Sequence, residues 1–154
     1  MVVNIEVRGS RQLRDLGTRL KAAGAEAKMR RDMLAAIRSA AGEAIPDIRE
    51  SARSTLPRSG GLADRVADQA FAVRTSLVGK TGGRVSIVGR GMKELRDIDR
   101  GRLRHPLWGN RDHWYQQKVA PGFFSKPIEK KAPAIRVRIV DAMASVARQL
   151  ARPL

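Results

Sequence analysis

The chain has 154 residues and a formal net charge of +16, from 31 Lys and Arg against 15 Asp and Glu, an excess that favours polyanions or acidic protein surfaces as partners. This length lets one domain, residues 1–154, bury roughly two thirds of its unfolded surface, and the absence of cysteine excludes disulfides and thiolate sites. No apolar run approaches the ~20 residues that cross a bilayer and no signal peptide is recognisable, so we expect synthesis in the cytoplasm and no membrane partner.

The first third of the chain is predicted to hold one strand followed by helices. Residues 2–7 alternate apolar and polar side chains, as in a half-buried strand, and a short helix follows that ends near Gly24. Apolar residues then recur every three or four positions over 25–56, which predicts a long helix. Pro46 lacks a backbone donor, so we expect this helix to bend or split near residues 42–44.

The middle of the chain is predicted to contain a turn, a short helix and a β-hairpin. The glycine-rich stretch 56–62 breaks the long helix, and a short helix is expected over 62–69. Two β-rich runs, 71–78 and 84–88, flank the sequence GKTGG, which is typical of a hairpin. Residues 89–125 are predicted to form an extended loop that contains one short helix near 92–97.

The last element is a predicted long helix that Ser125 caps and that runs towards Arg152. Its main apolar positions form an almost unbroken seam: Ile128, Ala132, Ile135, Ile139, Met143, Val146 and Leu150. A second line widens this seam: Val137, Val140, Ala144 and Ala147. We expect so much apolar surface to be buried against the sheet and against another helix or another subunit, and we expect Pro133 to kink the helix or to separate the turn before it. The fold class is therefore α+β, a small, mostly antiparallel sheet packed against the long central and C-terminal helices, with the extended loop between hairpin and last helix.

Five of the six aromatic residues lie in the predicted loop, at Trp108, Trp114, Tyr115, Phe123 and Phe124. Aromatic side chains gathered among arginines, prolines and glycines are compatible with a catalytic pocket, a platform for stacking nucleic-acid bases, or a docking loop.

The residues for catalysis or metal binding are not arranged in a recognised pattern. The GKT sequence at 79–81 lacks the upstream glycine of a phosphate-binding loop. His105 and His113 have no nucleophile or orienting carboxylate at a spacing typical of a triad. Asp97 and Asp99 stand among arginines, which favours a surface ion-pair network over a metal site. We expect no enzyme activity, no cofactor and no metal.

The loop's chemistry suits either nucleic acid or protein. Modules that bind single strands usually carry their aromatics on sheet strands, whereas the predicted strands here carry only Phe71. The basic residues are also spread over several elements rather than forming one stripe. Aromatic side chains are the usual anchors of protein interfaces, so we prefer a docking loop, and a basic nucleic-acid-binding protein (a packaging or chromatin-like factor) stays the alternative.

The order of elements and three short motifs resemble the tail-completion, or neck, proteins of long-tailed bacteriophages. The motifs are LPRSGGLA at 56–63, GRLRHPLWGN at 101–110 and PGFFSKP at 121–127. The similarity extends over nearly the whole chain and is strongest in HPLWGN and PGFF. Members of this family are structural proteins of the head–tail junction.

The resemblance implies a homo-oligomeric ring, a hexamer, that connects the tail tube to the neck and leaves a channel for DNA. The partners would be tail-tube and neck or connector proteins, in a virion assembled in the host bacterial cytoplasm. We expect the interface to include aromatic, histidine, proline and arginine side chains of the loop: Arg102, Arg104, His105, Pro106, Trp108, Arg111, Trp114, Tyr115, Phe123 and Phe124.

Overall fold

The computed structural model describes residues 2–5, 27–76, 84–107 and 109–150. Contacts within the chain cluster into two compact units. The hairpin unit comprises Ala44–Phe71 and Gly89–Lys130, and the sheet unit comprises the described parts of Val2–Glu43, Ala72–Val88 and Lys131–Leu154. Each unit is built from separate stretches of chain, and the expectation of a single domain over 1–154 stays a prediction.

The sheet unit is organised around a three-stranded sheet. Its strands are β1 (Val2–Ile5), β2 (Phe71–Ser76) and β3 (Arg84–Gly89), in the order β1-β3-β2. β1 runs antiparallel to β3, with Val3 opposite Ile87. Residues 85–88 of β3 are all buried, and because successive side chains of a strand point to opposite faces, both faces of this central strand are covered.

Two helices complete the sheet unit: α1 (Ala27–Gly42) and residues 131–150 of α5 (Ser125–Leu150). The buried side chains of α1 recur at helical spacing: Met33, Ile37, Ala40 and Ala41. Glu43 connects the two helices, since its carboxylate pairs with Arg138 and its carbonyl oxygen accepts a hydrogen bond from Lys131 Nζ (3.0 Å). Arg38 Nε donates to Thr75 Oγ1 (3.3 Å), which attaches α1 to β2.

The hairpin unit contains the remaining short elements. They are α2 (Ala44–Thr55), a 3₁₀ turn (Ser59–Gly61), α3 (Leu62–Ala67), α4 (Leu95–Asp99), β4 (Arg102–Leu107) and β5 (Asn110–Lys118). β4 and β5 form a second, two-stranded antiparallel sheet. Residues of α2, α3 and α4 supply buried aliphatic side chains, among them Ile48, Val66 and Ile98. An aromatic group completes this core, in which the Phe124 ring centroid lies 5.7 Å from that of Phe71 and 6.2 Å from that of Phe123.

Asp99 caps the N-terminus of α5 from a different element. Its Oδ1 accepts hydrogen bonds from the backbone N–H groups of Phe124 (2.7 Å) and Ser125 (3.1 Å), and its carbonyl oxygen accepts from Gly122 (2.8 Å). Asp99 is buried, and in the described part of the chain neither it nor Asp97 pairs with an arginine. The predicted ion-pair network is therefore wrong, because backbone N–H groups at a helix start satisfy this carboxylate instead.

The α+β class, the small sheets and the long helices of the sequence analysis are confirmed. The central helix divides between Gly42 and Ala44 as predicted, with Pro46 in the first turn of α2, where a missing N–H costs little. α5 continues through Pro133 as one helix. The predicted helix ending at Gly24 and the GKT turn lie outside the described residues.

The segment 89–125 is more regular than the predicted extended loop. It contains α4, close to the helix expected near 92–97, and the strands β4 and β5. The strands were not predicted because Arg, His and Gln occupy them, and a hairpin exposed to solvent needs no alternation of apolar and polar residues.

Candidate interaction site

The β4–β5 hairpin carries most of the residues that the sequence analysis singled out. Its register pairs Arg102 with Lys118, His105 with Tyr115 and Pro106 with Trp114. The register then shifts, and Leu107 pairs with Asn110, so that three residues of β5, 111–113, have no partner on β4. This irregularity twists the hairpin next to its turn.

Local side-chain bonds shape the turn of the hairpin. Gly109 adopts φ +79°, a left-handed conformation that glycine adopts at little cost. Asn110 Oδ1 accepts a hydrogen bond from the backbone N–H of Asp112 (2.9 Å), and Asn110 Nδ2 donates to His113 Nδ1 (3.3 Å). The first of these bonds is an Asx turn, which accounts for an asparagine at the first position of β5.

The hairpin exposes aromatic side chains to solvent. All nine residues of β5 are exposed, and Trp114 and Tyr115 keep 49% and 55% of their surface accessible. These two residues are adjacent in the strand, so their side chains lie on opposite faces of the hairpin. The hairpin therefore presents one large aromatic side chain on each face.

Each exposed aromatic ring has a neighbour on β4. The guanidinium carbon of Arg104 lies 4.8 Å from the Trp114 ring centroid, a cation–π contact between diagonal neighbours on one face. On the other face, the His105 ring lies 5.8 Å from the Tyr115 ring, edge to face. His105 Nδ1 also donates to the carbonyl oxygen of Pro106 (3.2 Å), and in the described part of the chain neither His105 nor His113 bonds a carboxylate.

A groove of about 900 Å³ lies beside the hairpin, and residues of both hairpin faces line it, Arg104, Pro106 and Trp114 from one face and Leu103, His105 and Gln117 from the other. Its walls come from the 3₁₀ turn, α3, the segment before α4, and both hairpin strands, and its lining includes Leu62, Gln69, Met92, Pro106, Trp114 and Gln117. Tyr115 is not part of the lining.

The groove is positively charged. Three arginines line it, Arg65, Arg104 and Arg111, against the single carboxylate of Glu94. Within the described residues no carboxylate lies at ion-pair distance from any of the three guanidinium groups. In the same unit Arg53, which does not line the groove, pairs with Asp68 (3.0 Å). The groove thus offers planar, bidentate donors for carboxylates or phosphates.

The structure places most predicted interface residues on the hairpin and excludes two of them from the exposed surface. Arg102, Arg104, His105, Pro106, Arg111, Trp114 and Tyr115 all lie on the hairpin. Trp108 lies outside the described residues. Phe123 and Phe124 are fully buried in the hairpin unit, so their assignment to the interface is wrong. Phe124 packs against Phe71 and Phe123 in the core of this unit instead.

Several residues of the groove were missed by the sequence analysis. Arg65 and Gln69 belong to α3 and the turn after it, and Glu94 precedes α4, so only the tertiary fold brings them to the hairpin. No spacing in the sequence indicates this.

The sheet unit has an exposed apolar surface of its own on α5. The seam predicted to be buried is buried at Ile135, Ile139 and Val146, whereas Val137 and Val140 remain 60% and 50% accessible. We call this second line, with the neighbouring Ala144 and Ala147, the α5 stripe. Residues of the chain itself bury these positions of the main seam. No described residue buries Val137 or Val140 of the α5 stripe.

The described residues contain no group of three or more His, Cys, Asp or Glu side chains suited to a metal ion. Among the helices described, none is long and apolar enough to span a bilayer. Comparison with protein-family models, with curated proteins and with solved structures finds no match to this chain.

Proposed function

We propose that this chain is a structural protein of the bacteriophage head–tail junction. Its copies form a hexameric ring that connects the tail tube to the neck and lets DNA pass, in a virion assembled in the bacterial cytoplasm. The observation that carries this proposal is the exposure of two separate apolar surfaces, the aromatic hairpin and the α5 stripe. The resemblance of the motifs HPLWGN and PGFF to tail-completion proteins supports placing this assembly at the head–tail junction.

The physical argument starts from the hairpin. A two-stranded hairpin is marginally stable in water by itself. Its unpaired backbone edges and exposed aromatic rings therefore favour contact with another polypeptide. Burying an aromatic side chain removes roughly 150–250 Å² from water, more than most other side chains contribute. Trp114 and Tyr115 are therefore suitable anchors for a neighbouring polypeptide.

A ring of identical copies needs two different, complementary patches on each copy. The Tyr115 face of the hairpin and the α5 stripe supply such a pair, since both are apolar and exposed and they belong to different units. We assign the contact between copies to these two surfaces. The Trp114 face stays available for a neighbour outside the ring.

Light scattering on the purified chain tests the ring. We expect wild type to show one oligomeric mass, and we expect Tyr115→Ser or the pair Val137→Ser and Val140→Ser to give monomer. Trp114→Ser is the matched control, because it removes an equally exposed ring from the other face and should leave the oligomer intact. An oligomer that survives both the tyrosine and the valine substitutions would contradict the assignment.

The net charge of +16 favours a second candidate, a basic nucleic-acid-binding protein such as a packaging or chromatin-like factor. The structure removes one argument against it, because Trp114 and Tyr115 do stand on a strand. A titration with duplex DNA at increasing salt separates the two candidates. A DNA-binding protein should lose affinity with a log–log slope of about −0.9 per phosphate contact, and a ring whose channel only lets DNA pass should bind weakly at physiological salt.

A further inference from the structure

We propose that the groove beside Trp114 binds an extended, acidic segment of a neighbouring protein. Arg65, Arg104 and Arg111 would pair with its carboxylates, and the Trp114 ring would pack on one of its apolar side chains. This inference rests on the proposed function and gives the chemistry of the neighbour that the Trp114 face contacts.

The charge of the groove selects an anionic occupant. Three arginines face one carboxylate, and none of the three has an ion-pair partner among the described residues. Guanidinium groups bind carboxylates through two parallel hydrogen bonds, which fixes orientation as well as affinity. An acidic segment would give these arginines the ion-pair partners that the described residues do not supply.

The arrangement of aromatics favours a peptide over a nucleic acid. Proteins that stack successive bases display several rings on one surface, whereas Trp114 and Tyr115 lie on opposite faces of the hairpin. One side of the Trp114 ring is also already occupied by the Arg104 guanidinium at 4.8 Å. The other ring in the groove lining, the His105 imidazole, lies on the opposite hairpin face, so the open side of Trp114 suits one apolar side chain of a peptide rather than a run of stacked bases.

The backbone of the hairpin favours an extended segment. Among the described residues β5 pairs with β4 alone, so its other edge retains N–H and C=O groups that an added strand could use. A second copy of this chain is a poor occupant of the groove, because its 31 cationic side chains outnumber the 15 carboxylates that could pair with the three arginines, whereas the contact assigned between copies in the ring is apolar.

Fluorescence anisotropy tests the proposal with three labelled probes: a short peptide of alternating Glu and Val, the same peptide with Gln in place of Glu, and a thymidine oligonucleotide of matched charge. We expect the Glu peptide to bind more tightly than the other two. Arg104→Gln with Arg111→Gln should weaken its binding by about tenfold or more, since two charge-assisted pairs are lost. If that double variant does not fold, Arg65→Gln alone is expected to weaken binding in the same direction.

The matched control is Arg74→Gln with Arg148→Gln, which removes the same charge from exposed positions of the sheet unit. It should leave binding of the Glu peptide within about twofold of wild type. Equal losses in both double variants would overturn the proposal, because binding would then follow net charge alone. Tighter binding of the oligonucleotide, lost only in the groove variant, would also overturn it and would identify a nucleic-acid site.

The oligomeric mass, measured on the same samples, separates this inference from the proposed function. A ring that forms without binding the Glu peptide would reject the acidic segment and leave the ring in place. Peptide binding by a chain that stays monomeric would reject the ring and leave the groove assignment in place.

Discussion

At the scale of single residues, the buried carboxylate of Asp99 attaches the end of α4 to the start of α5. We expect Asp99→Ala to lower the free energy of unfolding by about 1–3 kcal/mol, because the backbone N–H groups of Phe124 and Ser125 lose a buried acceptor. Asp99→Asn keeps one oxygen acceptor and should cost less. Urea denaturation measures both changes.

Asp97→Ala serves as the control for this experiment, since Asp97 is exposed and lies on the same helix, two residues before Asp99. It should change stability by no more than about 0.5 kcal/mol. Equal stability of Asp99→Ala and Asp97→Ala would show that Asp99 does not hold the start of α5.

The corrected assignment of the phenylalanines can be tested in the same way. Phe124→Ala removes a fully buried ring that contacts Phe71 and Phe123, so we expect a loss of roughly 3–5 kcal/mol. Trp114→Ala removes an exposed ring and should stay within about 0.5–1 kcal/mol of wild type, the scale of an exposed cation–π contact. A Phe124→Ala variant as stable as wild type would return this residue to the list of interface candidates.

At the scale of elements, two glycines of the hairpin unit allow the cost of a left-handed backbone conformation to be measured apart from the cost of a steric clash. Both adopt positive φ, at Gly101 (+84°) and Gly109 (+79°), but a Cβ on Gly101 would lie 2.9 Å from the carbonyl oxygen of Val119, whereas one on Gly109 meets nothing within 4 Å. Gly109→Ala should therefore cost only the conformational penalty of about 1–2 kcal/mol, and Gly101→Ala should cost more. Thermal unfolding of the two variants gives the order, and a smaller loss at Gly101 would contradict the packing at the base of the hairpin.

At the scale of the whole molecule, the elements that bury a periodic apolar face were predictable from sequence. Ile135 and Ile139 repeat at helical spacing and are buried, and Pro46 marked the break between the first two helices. The hairpin was not predictable, because its strands are exposed and leave no periodic pattern. Phe124 was misassigned since composition alone cannot distinguish an aromatic residue that anchors an interface from one that completes a core.

The candidate site was predictable only where its residues are close in sequence. The residues of β4 and β5 were identified together, while Arg65 and Glu94 join them through the tertiary fold. The cap on α5 was assigned to Ser125 because a serine precedes an apolar run, but the bonds come from Asp99, which lies 26 residues before Ser125. A partner so distant along the chain gives no local signal.

The central claim is that copies of this chain cover each other's exposed apolar surfaces, and sedimentation velocity at increasing salt tests it most directly. Each copy carries +16, so salt should screen the repulsion between copies while the apolar contact persists. We predict one closed oligomer of several times 16.9 kDa, increasingly populated as salt rises from about 0.05 to 0.5 M. A chain that sediments as a monomer at every salt and protein concentration would contradict the account.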